Sequence, residues 1–232
     1  MGTVFSSNLI QDKISGAINV AISVINQCQQ TLNSIQGLTT NGCPGLFLAG
    51  LSFNSSEIIT ESCFNSDTTF SQIESEINNY LQEQADLDIA KYKLTDSQRK
   101  TYKQLMFNLA QLIIKNTIGF TEDYFTDNKF VCKNTSLDVE VVPVLDLKHF
   151  LSNNVFNTVV NSKEYTDLID FFKTTQESSN RSMGLLTILI LLIILFIIVV
   201  VLLFLGLSCG WAVILSLIIF LLFEVSISFT LK

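Results

Sequence analysis

The apolar positions of this chain change period several times. Over 8–36, Ile14, Ile18, Ala21, Ile25, Cys28, Leu32 and Ile35 recur at alternating fours and threes, the spacing that draws one apolar stripe along a helix. Gly37 marks its predicted end. Short apolar runs at 46–53 and 57–63, separated by Asn54-Ser55-Ser56, read as a β-hairpin. A second helix is expected from Thr69 to about Ala90, with Phe70, Ile73, Ile77, Tyr80 or Leu81, and Leu87 inward. Glu74, Glu76, Glu83, Asp86 and Asp88 then form its solvated face. Thr95 and Gln98 stand at capping-box spacing and open a third helix through Tyr102, Leu105, Met106, Leu109, Leu112, Ile113, Asn116 and Phe120, with Phe120, Tyr124 and Phe125 as core. Phe130-Val131-Cys132, and the alternation of Leu137, Val139 and Val141 with Asp138 and Glu140, predict strands; Pro143 belongs at an edge or a strand end. Helical patterns around 147–159 and 164–173 complete a domain over 1–175. The fold class expected is α+β, a helical bundle packed against small antiparallel sheets.

Beyond this domain the pattern becomes continuous. Residues 183–223 include no Asp, Glu, Lys or Arg. As one helix they would reach roughly 60 Å, twice the ~30 Å hydrocarbon thickness of a bilayer. The run breaks at Gly206-Leu207-Ser208-Cys209-Gly210-Trp211, where glycines, a serine and an interfacial aromatic suit a tight turn. The reading is a polar stem at 176–183, a transmembrane helix at 184–206 and a second transmembrane or membrane-embedded helix at 211–229. They fold as a hairpin with Gly206, Gly210 and Trp211 at the turn. Glu224 reads as a residue near the interface, because a carboxylate at depth costs several kcal/mol. One steep span followed by a bent or interfacial tail is the alternative.

Charge narrows the partners. The chain carries a net charge of −7, and nearly all of it lies before the apolar run. An acidic domain lacks the basic face that nucleic acid requires, and lacks a general attraction to anionic lipid. The N-terminal residues 1–11 have neither the basic start nor the unbroken apolar core of a secretory signal. Instead, Met1-Gly2-Thr3-Val4-Phe5-Ser6 fits the pattern for N-myristoylation of Gly2, a cytosolic reaction, so the domain is expected on the cytosolic face. Lys173 and Arg181 agree with that orientation. The sequons at Asn54 and Asn134 then never meet the glycosylation machinery. A single acyl chain binds membranes only marginally, so next to a transmembrane anchor it reads as a mobile element, sheltered in the domain or released.

Cysteine usage pulls the other way. Four of the five cysteines, Cys28, Cys43, Cys63 and Cys132, lie in the domain, and an even set suggests two disulfides. A bond between Cys28 and Cys63 would tie the first helix to the hairpin. Cytosolic proteins rarely keep disulfides, so these residues are either reduced core cysteines or the products of an oxidising pathway on the cytosolic side. Catalytic chemistry is sparse. His149 is the only histidine, which leaves no metal pair and no Ser-His-Asp or Cys-His arrangement. The cysteine spacings do not make a zinc site, and Asp86, Asp88, Glu122 and Asp123 lie outside any phosphate loop or EF-hand pattern. No enzyme, metal or diffusible cofactor is expected; covalent myristate is the one addition.

Several features coincide in order and spacing. They are Met1-Gly2 with Ser6, a first helix ending near Cys28, Cys43, Cys63, Leu94-Thr95-Asp96-Ser97-Gln98-Arg99, Tyr102, Met106-Phe107, Ala110, Tyr124, Cys132-Lys133-Asn134-Thr135-Ser136 and a span near residue 185. Together they resemble the myristoylated virion-membrane protein family of poxviruses, with relatives in African swine fever virus and other large DNA viruses, over most of 1–205. The resemblance implies a helical bundle on two small sheets, disulfides made by a virus-encoded thiol oxidation pathway, and a part in the fusion machinery by which virions enter cells. It implies Gly2 as the acylated position and a Cys28–Cys63 disulfide. Cys43 and Cys132 match family cysteines whose usual partners are absent here, and we expect them to pair with each other. This domain has two cysteines fewer than the poxvirus pattern, and a second apolar segment replaces its polar tail.

The expected function is a non-enzymatic component of viral fusion, anchored in the virion membrane and in contact with the bilayer and other viral membrane proteins, holding its myristate in a groove beside the first helix. The rival is a structural tether between an internal viral membrane and the capsid, with the acyl chain as a permanent second anchor. A tail-anchored trafficking protein lacks support, since no long heptad is present.

Overall fold

The computed structural model describes residues 2–35, 38, 42–48, 57–133 and 137–204. Its elements run α1 (Gly2–Gln27), β1 (Gln29–Thr31), a 3₁₀ turn (Leu32–Ser34), α2 (Pro44–Leu48), β2 (Glu57–Thr60) and α3 (Glu61–Phe64). They continue with α4 (Asp67–Tyr92), α5 (Asp96–Asn128), β3 (Phe130–Lys133), β4 (Asp138–Pro143), α6 (Val144–Val160) and α7 (Lys163–Phe204). The chain divides into two compact units, Met1–Lys173 and Thr174–Lys232.

The first unit is α+β, as the hydrophobic pattern predicts. Helices α1, α4, α5 and α6 pack on one another, and the described strands form one antiparallel sheet in the order β1-β2-β4-β3, where separate small sheets were expected. Successive side chains of a strand point to opposite faces, and here both faces are covered. Ile59 and Val142 stand opposite each other and belong to the large core under the helices. Their neighbours Ile58 and Val141 belong to a second, smaller core with Leu32, Leu38, Cys43, Leu46 and Cys132. The sheet is therefore a partition between two hydrophobic clusters.

That partition explains two departures from the sequence reading. The first helix stops at Gln27, short of the predicted end at Gln36, although its apolar spacing continues. Residues Gln29–Thr31 instead extend and pair with Glu57–Ile59, and Leu32 turns into the small core at 2% exposure. Strand pairing and a separate apolar pocket outweigh a stripe that helical spacing alone would have continued. Secondly, among the described residues of the runs 46–53 and 57–63 no hairpin pairing is found. Pro44–Leu48 is helical, with Pro in the first helical position where its missing N–H is harmless, and β2 pairs with β1 and β4. Residues 49–56 and Gly37 lie outside the described residues.

Local chemistry sets the remaining boundaries. Ser66 caps α4 by accepting from the Thr69 amide. Thr95 and Gln98 make the predicted capping box at the start of α5: the Gln98 amide donates to Thr95 Oγ1 and the Thr95 amide to Gln98 Oε1. Pro143 ends β4 and precedes α6. Along α4 the buried positions are Thr69, Ile73, Ile77, Leu81, Ala85, Asp88 and Ile89. A period of 3.6 carries the stripe from Leu81 and Ala85 to Asp88 and Ile89 and leaves Leu87 on the outer face, 57% exposed. Both Leu87, expected inward, and Asp88, expected solvated, are thus corrected by one register.

In the second unit the stretch read as a polar stem, 176–183, is helical backbone within α7. Among the described residues no helix is long and apolar enough to cross a membrane. From Ile190 to Val201 the exposed side chains include Ile190, Leu192, Ile193, Ile194, Phe196, Ile197 and Val201. The expected second span and Gly206, Gly210 and Trp211 lie outside the described residues, as do Cys209 and Glu224.

Lys93 closes α4 in the left-handed conformation, with φ 50° and ψ 48°, a region that disfavours side chains with a Cβ. Lys93→Gly should therefore raise stability by about 1 kcal/mol, measured by chemical denaturation of the purified, disulfide-intact chain.

Candidate functional site

Gly2 is the first residue of α1, so the predicted acylation position begins a helix that runs directly into the bundle. At the other end of α1, Cys28 is bonded to Cys63, with Cα atoms 5.8 Å apart, and Cys43 is bonded to Cys132 at 4.5 Å. The first bond lies beside the large core and the second inside the small one, where Cys43 and Cys132 are 1% and 0% exposed. Each hydrophobic cluster is thus pinned by one crosslink. The Cys43–Cys132 loop closes 89 residues, a length for which the chain-entropy estimate is about 4–5 kcal/mol.

Sequence reasoning missed a polar centre inside the bundle. Lys13 of α1 and Asp88 of α4 are both 4% exposed, with Lys13 Nζ 3.1 Å from Asp88 Oδ2. Lys13 also donates to Gln84 Oε1 at 3.3 Å. The Tyr102 hydroxyl of α5 donates to Asp88 Oδ2; burial first, then this bond, holds the phenol well above its ordinary range. The Tyr102 ring stacks on Phe171, 5.3 Å between centroids, and meets Phe172 edge-on at 5.4 Å. One carboxylate therefore joins α1, α4 and α5, and its phenol partner packs against α7. The signal was present in the chain, because Asp88 follows Leu81 and Ala85 at helical spacing and Lys13 precedes Ala17 by four.

A cavity of about 260 Å³ opens between α4 and α5, lined by Leu81, Ala85, Met106 and Ala110 with Asn78, Gln82, Lys103 and Phe107. None of these residues comes from α1, beside which the acyl groove was expected. Its volume is below the ~300–1,000 Å³ of most small-molecule sites. Phe107 is 53% exposed at this cavity, and Lys103 reaches Asp86 at 2.8 Å.

At the sheet, Glu61, Glu140 and Lys129 form a charged cluster. Lys129 Nζ lies 2.7 Å from Glu140 Oε2. A hydrogen bond with Glu140, then partial burial, raises Glu61; the same bond from Glu61, then Lys129, lowers Glu140. Of the two carboxyls, Glu61 is therefore the one that gives up its proton at higher pH. His149 is exposed on α6. Among the described residues no group of three or more His, Cys, Asp or Glu is placed to hold a metal. Comparison with known protein families, characterised proteins and solved structures gives no match.

Two outcomes follow from this geometry. Lys13→Met strands Asp88 in the bundle and should destabilise the chain by roughly 3–5 kcal/mol in denaturant unfolding, whereas Lys103→Met at the exposed Asp86 pair should change stability by less than about 1 kcal/mol. Glu61, with its pKa raised by folding, contributes stability that is complete at low pH and lost as pH rises through its folded value. Glu61→Gln should therefore gain more in melting temperature over wild type at pH 7 than at pH 4, where wild-type Glu61 already carries its proton.

Proposed function

We propose that this chain is a non-enzymatic, N-myristoylated membrane protein of a virion, acting in the fusion machinery by which the virus enters cells. The observation that carries this reading is a conjunction: two disulfides in a domain whose N-terminus bears a signal read only in the cytosol. Ordinary cytosolic chains keep thiols reduced, so the conjunction calls for a dedicated oxidising pathway on the cytosolic side, the property implied by the resemblance to the poxvirus family. The apolar surface of α7 supports the membrane anchor. At 190–201 exposed Ile, Leu, Val and Phe point around the helix rather than along one stripe, a surface suited to hydrocarbon rather than water. In this reading 184–206 spans the bilayer, 211–229 returns towards the cytosolic side, and the disulfides hold the domain together while the acyl chain changes its surroundings.

A second reading draws on the size of the cavity between α4 and α5. It measures about 260 Å³, is small for a whole acyl chain and is not lined by α1; in this reading myristate is a permanent second anchor and the protein a tether between membrane and capsid.

Intact mass of protein taken from virions tests the premise: the reading expects one myristoyl group on Gly2 and no free thiol among Cys28, Cys43, Cys63 and Cys132. An unmodified N-terminus or four free thiols would sink it. Particles assembled without the protein separate the two roles. Normal particles that bind cells and fail to fuse support the first, and misassembled shells support the second.

A further inference from the structure

The two halves of α1 are held by different forces. From Ile14 onward the helix is fixed by burial, with Ile14, Ile18, Ile22, Val24 and Ile25 all in the large core, and its end is bonded through Cys28 to Cys63. Residues 7–13 place one fully buried apolar side chain, Ile10, in that core and are otherwise held by polar contacts. Ser7 Oγ lies 2.7 Å from the Tyr165 hydroxyl, to which Gln11 Nε2 also donates at 3.2 Å. Lys13 completes the set with Asp88 and Gln84. Gly16, the poorest former of helix interiors after proline, stands just inside the buried half, two residues beyond Ile14. A Cβ there would press on the Tyr80 hydroxyl, which would have to shift to make room.

We infer that α1 is a hinged strap: residues 7–13 open from the bundle as a unit, bending where the polar contacts give way to burial at Ile14 and carrying the N-terminus with them, while the disulfide-anchored half stays docked, and Lys13–Asp88 is the latch. The physical basis is the sign of the solvation terms. Opening the apolar half would only expose hydrocarbon. Opening the polar half exposes one apolar side chain, Ile10, but returns Lys13 and Asp88 to water, and that recovered hydration offsets much of the attraction lost. The strap is thereby firm in place and easy to release. Tyr102 keeps its hydrogen bond to Asp88 and its stacking on Phe171 in either state, so the receiving side of the latch does not have to rearrange. The inference holds whether or not Gly2 is acylated.

Hydrogen exchange read by mass spectrometry on the full chain in detergent micelles, disulfides intact, tests it. In wild type, amides of 7–13 should exchange at least about tenfold faster than those of 17–27. Tyr165→Phe, which removes only a hydroxyl, should speed 7–13 by about fivefold and leave 17–27 unchanged. Lys13→Met should speed 7–13 by tenfold or more, because Asp88 loses its partner. Lys13→Met with Asp88→Leu should return 7–13 to the wild-type rate or slower, since an apolar pair has no hydration to regain. One common rate from 7 to 27 would overturn the strap. So would an unchanged 7–13 in both Tyr165→Phe and Lys13→Met, as expected of a helix that merely frays, or a double variant no slower than Lys13→Met.

Discussion

The domain depends on a small sheet that has no solvent face at its centre. Ile58 and Ile59, and likewise Val141 and Val142, are adjacent residues that point in opposite directions and are all fully buried. A sheet of this kind must be covered on both sides, so the chain has to supply two hydrophobic clusters from elsewhere. The long helices cover one side. The turn after β1, Leu38, α2 and Cys132 cover the other. The second cluster is too small to hold itself by apolar burial alone, and the Cys43–Cys132 bond compensates by shortening the excursions of the unfolded chain.

The bundle side has its own exception in the buried Lys13–Asp88–Tyr102 centre. Buried ion pairs are poor devices for stability, because desolvation opposes the attraction, and they are better suited to fixing one arrangement among several. Three helices that share only apolar stripes can slide against one another. A cation on α1, a carboxylate on α4 and a phenol on α5 must meet at one point. The centre thus specifies the register of α1, and the strap inferred for residues 7–13 is the same property viewed as a local equilibrium.

A lipid signal at one end and an apolar run at the other give the proposed function its physical form. If both ends are at a membrane, as proposed, the domain between them would be loaded through its termini, and the crosslinks in each core would keep the two clusters together under that load. The α1 crosslink sits at the end of the helix opposite Gly2, so whatever acts on the N-terminus acts first on the half held by polar contacts.

Much of the architecture was legible in the chain because it rests on local rules. The periods of α4, α5 and α6, the Thr95–Gln98 capping box, the strands around Cys132 and Val141, and Pro143 at a strand end follow from spacing and from backbone chemistry within a few residues. The even set of four domain cysteines was legible as composition, and the structure joins them in two pairs. What the tertiary structure decided was the use of ambiguous segments. Leu32 and Ile35 continue a helical stripe in sequence but turn towards the small core, because Gln29–Thr31 finds a partner strand far along the chain. Pro44–Leu48 is apolar enough for a strand but is helical, and β2 takes its partners from β1 and β4. Asp88 is a charged residue on an apolar face, which sequence reads as solvated until a lysine on another helix is brought to 3.1 Å. Local periodicity states which face a side chain occupies, but only the packed chain states what stands opposite it, and for a buried charge the opposite partner decides everything.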